Sequence, residues 1–299
     1  MTVDLAGIIP PLVTPFDRDG NVRADALRAE VRLHLDAGVH GICVTGSTGE
    51  GAALTPEDSV QVARAAVAEA GGSVPVISGI IRDSTRDVVR YGLALKEAGV
   101  DALQITPVHY LFKPDEETTF GYFRELADEI GLPIVIYNVV PWATIEPRTL
   151  ARIMNEVPLV VAVKQSGGDI HALSELLQLG PTGGRVLTAI DDLLYPSFVL
   201  GAQGAVAATL TVVPQLCVQL WDAYRRDDHQ AALDLHNRLL PVWQAISGPN
   251  MPARIKVALA LQGRDGGAPR EPMSPVSEAE RAGLVAALEH AGVVPVAAG

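Results

Sequence analysis

KEAGVDALQITP, residues 96–107, holds the end of one element, a glycine and the start of the next in a single short stretch. Lys96 and Glu97 close an amphipathic segment, Gly99 suits the left-handed conformation that ends a helix, and an apolar strand-like run follows at once. The same arrangement returns in LDAGVHGI (35–42), DEIGLPIV (128–135) and LGAQGAVA (200–207). Helices that feed straight into strands, unit after unit, imply parallel strands joined by helical crossovers.

Working outward from these junctions, strands are expected at 8–16, 41–46, 74–80, 101–107, 133–139, 160–166, 185–191 and 205–210. A repeat of roughly 25 to 35 residues is also the period of a solenoid, but each unit here carries a whole strand and a whole helix and no solenoid consensus. Eight such units close into a (β/α)8 TIM barrel. Thr55 before PED, Ser84 before TRD and Asp169 before IHAL are expected to cap helix starts. Strand signals stop near Asp228, which predicts a barrel over 1–228 and a three-helix extension over 229–299 packed on it. The Gly- and Pro-rich stretch 263–276 within that extension reads as an ordered surface loop.

Composition narrows the possible partners. Of 299 residues 48% are apolar and 19% charged, enough to bury a sizeable core without help. A net charge of −12 argues against nucleic acid or an anionic membrane as partner, since both need a basic face. No run is apolar enough to span a bilayer and the N-terminus lacks the features of a signal peptide, so a cytoplasmic protein is expected. Cys43 and Cys217 lie in apolar runs and read as small buried hydrophobes. The seven histidines form no HExxH or HxH pair, so no metal is expected and a metal-dependent aldolase has little support. His40 and His109 read as ordinary hydrogen-bonding or surface residues.

The active site of such a barrel is built where the strands end, so polar residues there come first. Lys164 stands near the end of VVAVKQS, expected to share the interior face with Val160 and Ala162. Burial favours a neutral amine, which is the form that attacks a ketone. A lysine lying outward along the sheet edge is the bland alternative, and a closed parallel barrel has no edge. Tyr137, at the end of IVIYNVV one strand away, can move protons during imine chemistry, although a strand tyrosine is more often core. The turn TGSTGEG (45–51) offers backbone amides and the hydroxyls of Ser47 and Thr48 for a carboxylate, and it is neither a P-loop nor a dinucleotide turn.

These residues together resemble the family of dihydrodipicolinate synthase and N-acetylneuraminate lyase over essentially the whole chain. The motifs are VTPF (13–16), GSTGE (46–50), ITP with Tyr110 three residues on, YNV (137–139), VKQSGGD (163–169) and the Gly201/Gly204 spacing. The resemblance implies a Schiff base on Lys164 with pyruvate or a related 2-keto acid, no other cofactor, and an aldehyde as second partner. It also implies a phenol at Tyr137, carboxylate binding by Ser47 and Thr48, and a homotetramer built as a dimer of dimers. In that assembly Tyr110 reaches across a subunit interface to a relay with Ser47. Val206 and Asp191 fall where relatives line the substrate site.

The chain also departs from the family pattern. The synthases carry an arginine soon after YNVP that clamps the carboxylate of aspartate semialdehyde, whereas this chain has YNVVPWATIE and no arginine before Arg148. Arg82, just past the third strand, is the nearest substitute, with a solvent or subunit-contact role as its alternative. HYLF (109–112) and Asp191-Asp192 lean toward the sugar-acid lyases, but Ala207-Ala208 replaces their Gly-Ser. The expectation is therefore a class I lyase or aldolase on a 2-keto acid that neither prototype prefers. Authentic 4-hydroxy-tetrahydrodipicolinate synthase, a 2-keto acid dehydratase and a non-catalytic keto-acid sensor are the alternatives.

Overall fold

The computed structural model describes residues 3–294. Its strands are β1 (Gly7–Ile8), β2 (Ile42–Val44), β3 (Val76–Ile80), β4 (Ala102–Ile105), β5 (Ile134–Asn138), β6 (Val160–Gln165), β7 (Arg185–Thr188) and β8 (Gly204–Ala205). All neighbours pair in parallel, in the order β1-β8-β7-β6-β5-β4-β3-β2. The remaining seam between β1 and β2 is closed by a parallel bridge from Pro11 to Cys43, with Leu12 N donating to Cys43 O at 2.8 Å and Cys43 N to Pro10 O at 3.0 Å. The ring is a (β/α)8 barrel followed by C-terminal helices, as the repeated junctions imply.

Every strand is shorter than the run expected for it, and at three of them the local reason is plain. The expected strand at 8–16 contains Pro10 and Pro11, which have no N–H to give a ladder, so β1 ends at Ile8. The run to 191 stops at Thr188, whose hydroxyl accepts from Ile190 N at 3.2 Å and turns the chain into a 3-10 turn over Asp191–Leu193. The run to 210 ends at Ala205 because Thr209–Val212 coils into a short helix.

Inside the ring, Ile9, Cys43, Ile77, Ala102, Val135, Ala162, Leu187 and Val206 form one apolar cluster; the larger cluster lies between strands and helices. Ala162 shares the inner face with Lys164 as expected, but Val160 belongs to the outer core. Register explains the difference: Ile134 pairs with Val160 and the next residue, Val135, with Ala162, so β6 carries one extra residue at Val161. An inserted residue reverses which side chains face inward from that point on.

Thr55 forms a capping box with Asp58, and Asp169 accepts from the amides of His171 and Ala172. Ser84 occupies the capping position without making the bond: its backbone, at φ −119° and ψ 123°, differs from that of Thr55 at −74° and 166°. Helices His229–Ile246, Met251–Ala260 and Glu278–His290 stand where the last three helical patterns lie. No helix among the described residues is long and apolar enough to cross a membrane. Both cysteines are free and fully buried; burial pushes the Cys43 thiol up to about 11.

Arg264, beyond the second of these C-terminal helices, ties the extension to the barrel. It holds the Glu30 carboxylate at 2.5 Å and the carbonyls of Thr211 and Val212 at 2.9 and 2.8 Å. Beside this buried pair sits His34, with Nδ1 2.7 Å from Glu30 O. Burial, reinforced by the Arg264 charge, lowers the imidazole pKa to about 4. A histidine kept neutral in the fold but free to protonate when unfolded stabilises the protein above its ordinary pKa near 6.5. That contribution is lost as pH falls from there toward 4, and amounts to at most about 3 kcal/mol. Denaturant titrations should therefore show stability falling between pH 6.5 and 4, with a shallower fall in His34→Asn. Equal slopes in the two proteins would remove His34 as the cause.

Candidate active site

The β5–β6 register sets Tyr137 directly beside Lys164. Nζ of Lys164 lies 4.2 Å from the centroid of the Tyr137 ring, and both side chains are buried, at 5% and 2% exposure. The Tyr137 hydroxyl donates to Ser47 Oγ at 2.9 Å across 90 residues of chain. An amine, a phenol and a serine hydroxyl thus stand in sequence at the mouth of the barrel. A phenol placed this way has a ready path for a proton leaving or entering the reacting carbon.

Ser47 belongs to a strained turn. Thr45 has φ of 57°, a rare conformation for a β-branched residue, and Glu50 has φ of 56°. Thr45 is held there by its hydroxyl, which lies 2.7 Å from Ser78 Oγ and donates to Gly79 O at 2.9 Å. The turn closes through Gly51 N to Gly46 O at 2.9 Å and Glu50 N to Ser47 O at 3.1 Å, and Thr14 Oγ1 grips Gly49 O at 2.7 Å. A Cβ on Gly51 would lie 1.9 Å from Thr45 O, and one on Gly79 2.7 Å from the same atom, so the turn requires glycine at both places. Among the described residues the amides of Ser47 and Thr48 donate to no protein acceptor. Two free amides with two hydroxyls on a rigid turn form a nest that suits a carboxylate.

The other expected residues divide into two groups. Asp191 is buried, and burial raises its carboxyl above the usual range against the opposing hydrogen bond from Thr209 N at 2.6 Å. Val206 is fully buried in the inner cluster with its amide bound to Thr188 O at 2.9 Å. Arg82, by contrast, is engaged by the protein itself. Its guanidinium donates to Ile81 O, Leu54 O and Tyr91 OH at 2.7 to 2.9 Å and lies over the Tyr91 ring. A cation whose donors are spent on the protein has little left for a carboxylate clamp.

Tyr110 is 83% exposed, and its phenol makes no hydrogen bond within the described residues. It lies with Leu111, Phe112 and Trp142 on an exposed apolar surface, where Trp142 Nε1 donates to His109 O at 2.8 Å and so joins two loops. Arg148 is also exposed, near Glu175. His40 accepts from Ile8 N and His109 contacts Pro107 O, the ordinary roles expected of them.

Several residues of the site were not singled out from the sequence. Asn138 fixes the loop after β5, taking Ile145 N at 2.8 Å and giving to Ile145 O and Gln165 Oε1 at 3.1 and 2.9 Å. An asparagine directly after a catalytic-type tyrosine at a strand end is a local signal that could have found it. Thr45 and the buried Gln104 offered the same kind of clue, polar residues in apolar strand runs. A cavity of about 700 Å³ begins at Ser47 and runs between the turn and the C-terminal extension, past Ile81, Asn250, Pro252, Arg270 and Met273.

A buried lysine beside a phenol at the C-terminal mouth of a parallel barrel is the equipment that a class I, imine-forming carbon–carbon lyase needs. The comparisons agree: the model of the dihydrodipicolinate synthetase family matches residues 4–291, and the chain belongs to that family. It is 32% identical over 299 residues to 4-hydroxy-tetrahydrodipicolinate synthase of Methanopyrus kandleri, covering 99% of each chain. Among solved structures it resembles the dihydrodipicolinate synthase of Acinetobacter baumannii complexed with pyruvate, at 28% identity and TM-score 0.91, with 97% of this chain and 99% of that one covered. It is equally similar to a prophage protein of the family from E. coli K12, also in complex with pyruvate, at 28% identity, TM-score 0.91 and the same coverage.

Tyr137→Phe keeps the ring against Lys164 and removes only the hydroxyl. Turnover should fall by roughly 10²- to 10⁴-fold while the thermal midpoint barely moves. A variant with near-normal turnover would reduce Tyr137 to a packing residue.

Proposed function

We propose that the chain joins pyruvate, or a related 2-keto acid, to an aldehyde through an imine on Lys164, or runs the same reaction as a cleavage. The observation that carries this reading is the continuous line from Lys164 past the Tyr137 ring to its hydroxyl and on to Ser47 Oγ. The neutral amine adds to the keto carbon, and the carbinolamine loses water to give an iminium. Loss of a proton from the neighbouring carbon gives an enamine, whose carbon attacks the aldehyde. Hydrolysis then frees the product and restores the amine. Tyr137 carries the protons, the nest at Ser47 and Thr48 holds the keto-acid carboxylate, and Asp191 and Val206 border the space for the rest of the substrate.

For the acceptor we infer an aldehyde without a remote carboxylate. The arginine that the synthases place after YNVP is missing, Arg148 is on the surface, and Arg82 is engaged by Ile81, Leu54 and Tyr91. Burying an unclamped carboxylate costs several kcal/mol. A second reading, 4-hydroxy-tetrahydrodipicolinate synthase itself, is favoured by the names of the curated relatives. The exposed face of Tyr110, Leu111, Phe112 and Trp142 supports a further element of the proposal. It is a surface for a second copy of the chain, through which Tyr110 would reach the partner's relay within a tetramer.

A panel of aldehydes assayed for pyruvate consumption separates the two readings. Hydroxyl- or aryl-bearing aldehydes should exceed aspartate semialdehyde in kcat/KM by about tenfold or more, the equivalent of about 1.4 kcal/mol. Efficient use of aspartate semialdehyde would instead establish the synthase, and its loss in Arg82→Ala would show that Arg82 had released its protein partners to serve as the clamp.

A further inference from the structure

Glu50 ends the strained turn that carries Ser47 and Thr48, and both oxygens of its carboxylate are held from the C-terminal extension. Oε1 accepts from Lys256 Nζ at 2.6 Å and Oε2 from the Arg270 amide at 2.8 Å, from positions 206 and 220 residues along the chain. Lys256 and Glu50 are buried, at 3% and 5% exposure. Lys256 also donates to Ala268 O at 2.7 Å, and Ala268 N in turn binds Phe16 O at 3.0 Å. The Arg270 guanidinium reaches Ala53 O and Asp58 at 2.7 and 2.8 Å and lies 4.3 Å from the Phe16 ring centroid. The side chain of Glu50 is therefore anchored through both of its oxygens by groups that are themselves held in place.

Its backbone is where that anchoring acts. The Glu50 amide donates to Ser47 O at 3.1 Å, and the residue holds a left-handed φ of 56° that a non-glycine residue keeps only when its surroundings enforce it. A buried ion pair is weak evidence for stability in itself, because an apolar pair of similar volume often serves as well. Its placement at the hinge of the turn gives it a different use.

We propose that the Glu50–Lys256 pair positions the catalytic turn, so that the helical extension, far from the reacting lysine in sequence, fixes Ser47 and Thr48 in the posture that receives the keto-acid carboxylate. Neither charged residue touches the reacting atoms; both are positioning residues. The inference rests on the reading of Ser47 and Thr48 as the carboxylate nest.

The test is the double variant Glu50→Gln/Lys256→Met, which removes both charges together and strands neither. It should melt cooperatively, yet its KM for pyruvate should rise about tenfold or more with a smaller change in kcat, the signature of lost ground-state grip. A folded double variant with wild-type KM overturns the proposal. Should the double variant fail to melt cooperatively, Glu50→Asp keeps both charges and withdraws the carboxylate by one methylene. A raised pyruvate KM is expected there too, and a wild-type KM would overturn the proposal. Ser47→Ala and Thr48→Val are measured alongside. If they raise KM and the Glu50 variants do not, the clamp alone fails; if they leave KM unchanged, the nest fails and the clamp with it.

Discussion

A lysine amine enclosed by a ring of eight parallel strands is the constraint to which the rest of the site answers. Lys164 is buried and, among the described residues, makes no ion pair with a carboxylate, so its chemistry is governed by Tyr137 beside it and by what Tyr137 touches. Barrel closure matters for this reason: the Pro11–Cys43 bridge seals the seam between β1 and β2, and the inner apolar cluster plugs the barrel below the amine. A packed interior with an open top leaves only one direction from which a keto acid can arrive.

The turn at 45–51 shows where backbone strain has been placed. Thr45 and Glu50 adopt left-handed backbone, glycines at 51 and 79 let chains approach within distances no side chain would tolerate, and the hydroxyls of Thr14 and Ser78 hold the turn. Strain of this kind costs on the order of 1 to 3 kcal/mol per residue and persists only where the surroundings over-determine it. Here those surroundings include the extension after the barrel, through Lys256 and Arg270. The extension is thus joined to the chemistry through the turn as well as to the barrel wall through Arg264.

What could be read in the sequence follows from how local each signal is. Helix–glycine–strand junctions and apolar runs are local, and together they placed the strands; prolines then ended β1, a threonine hydroxyl β7 and a short helix β8, effects visible only once the ladder is known. Lys164 and Tyr137 were legible because strand ends on neighbouring units come together in any barrel. The inward face of β6 was legible at Ala162 but not at Val160, since the register slip at Val161 depends on β5. Arg82 points where sequence could not follow, to Leu54 and Tyr91, and the Glu50–Lys256 pair has no signal at all in a one-dimensional reading.

The most direct measurement is reduction with borohydride in the presence of pyruvate, followed by mass spectrometry of the digested protein. An imine between Lys164 and the keto carbon becomes a secondary amine that survives digestion, so the peptide containing Lys164 should gain the mass of the reduced pyruvate adduct, and Lys164→Ala should gain none. Unlabelled protein, or label confined to another lysine, would contradict the account at its centre.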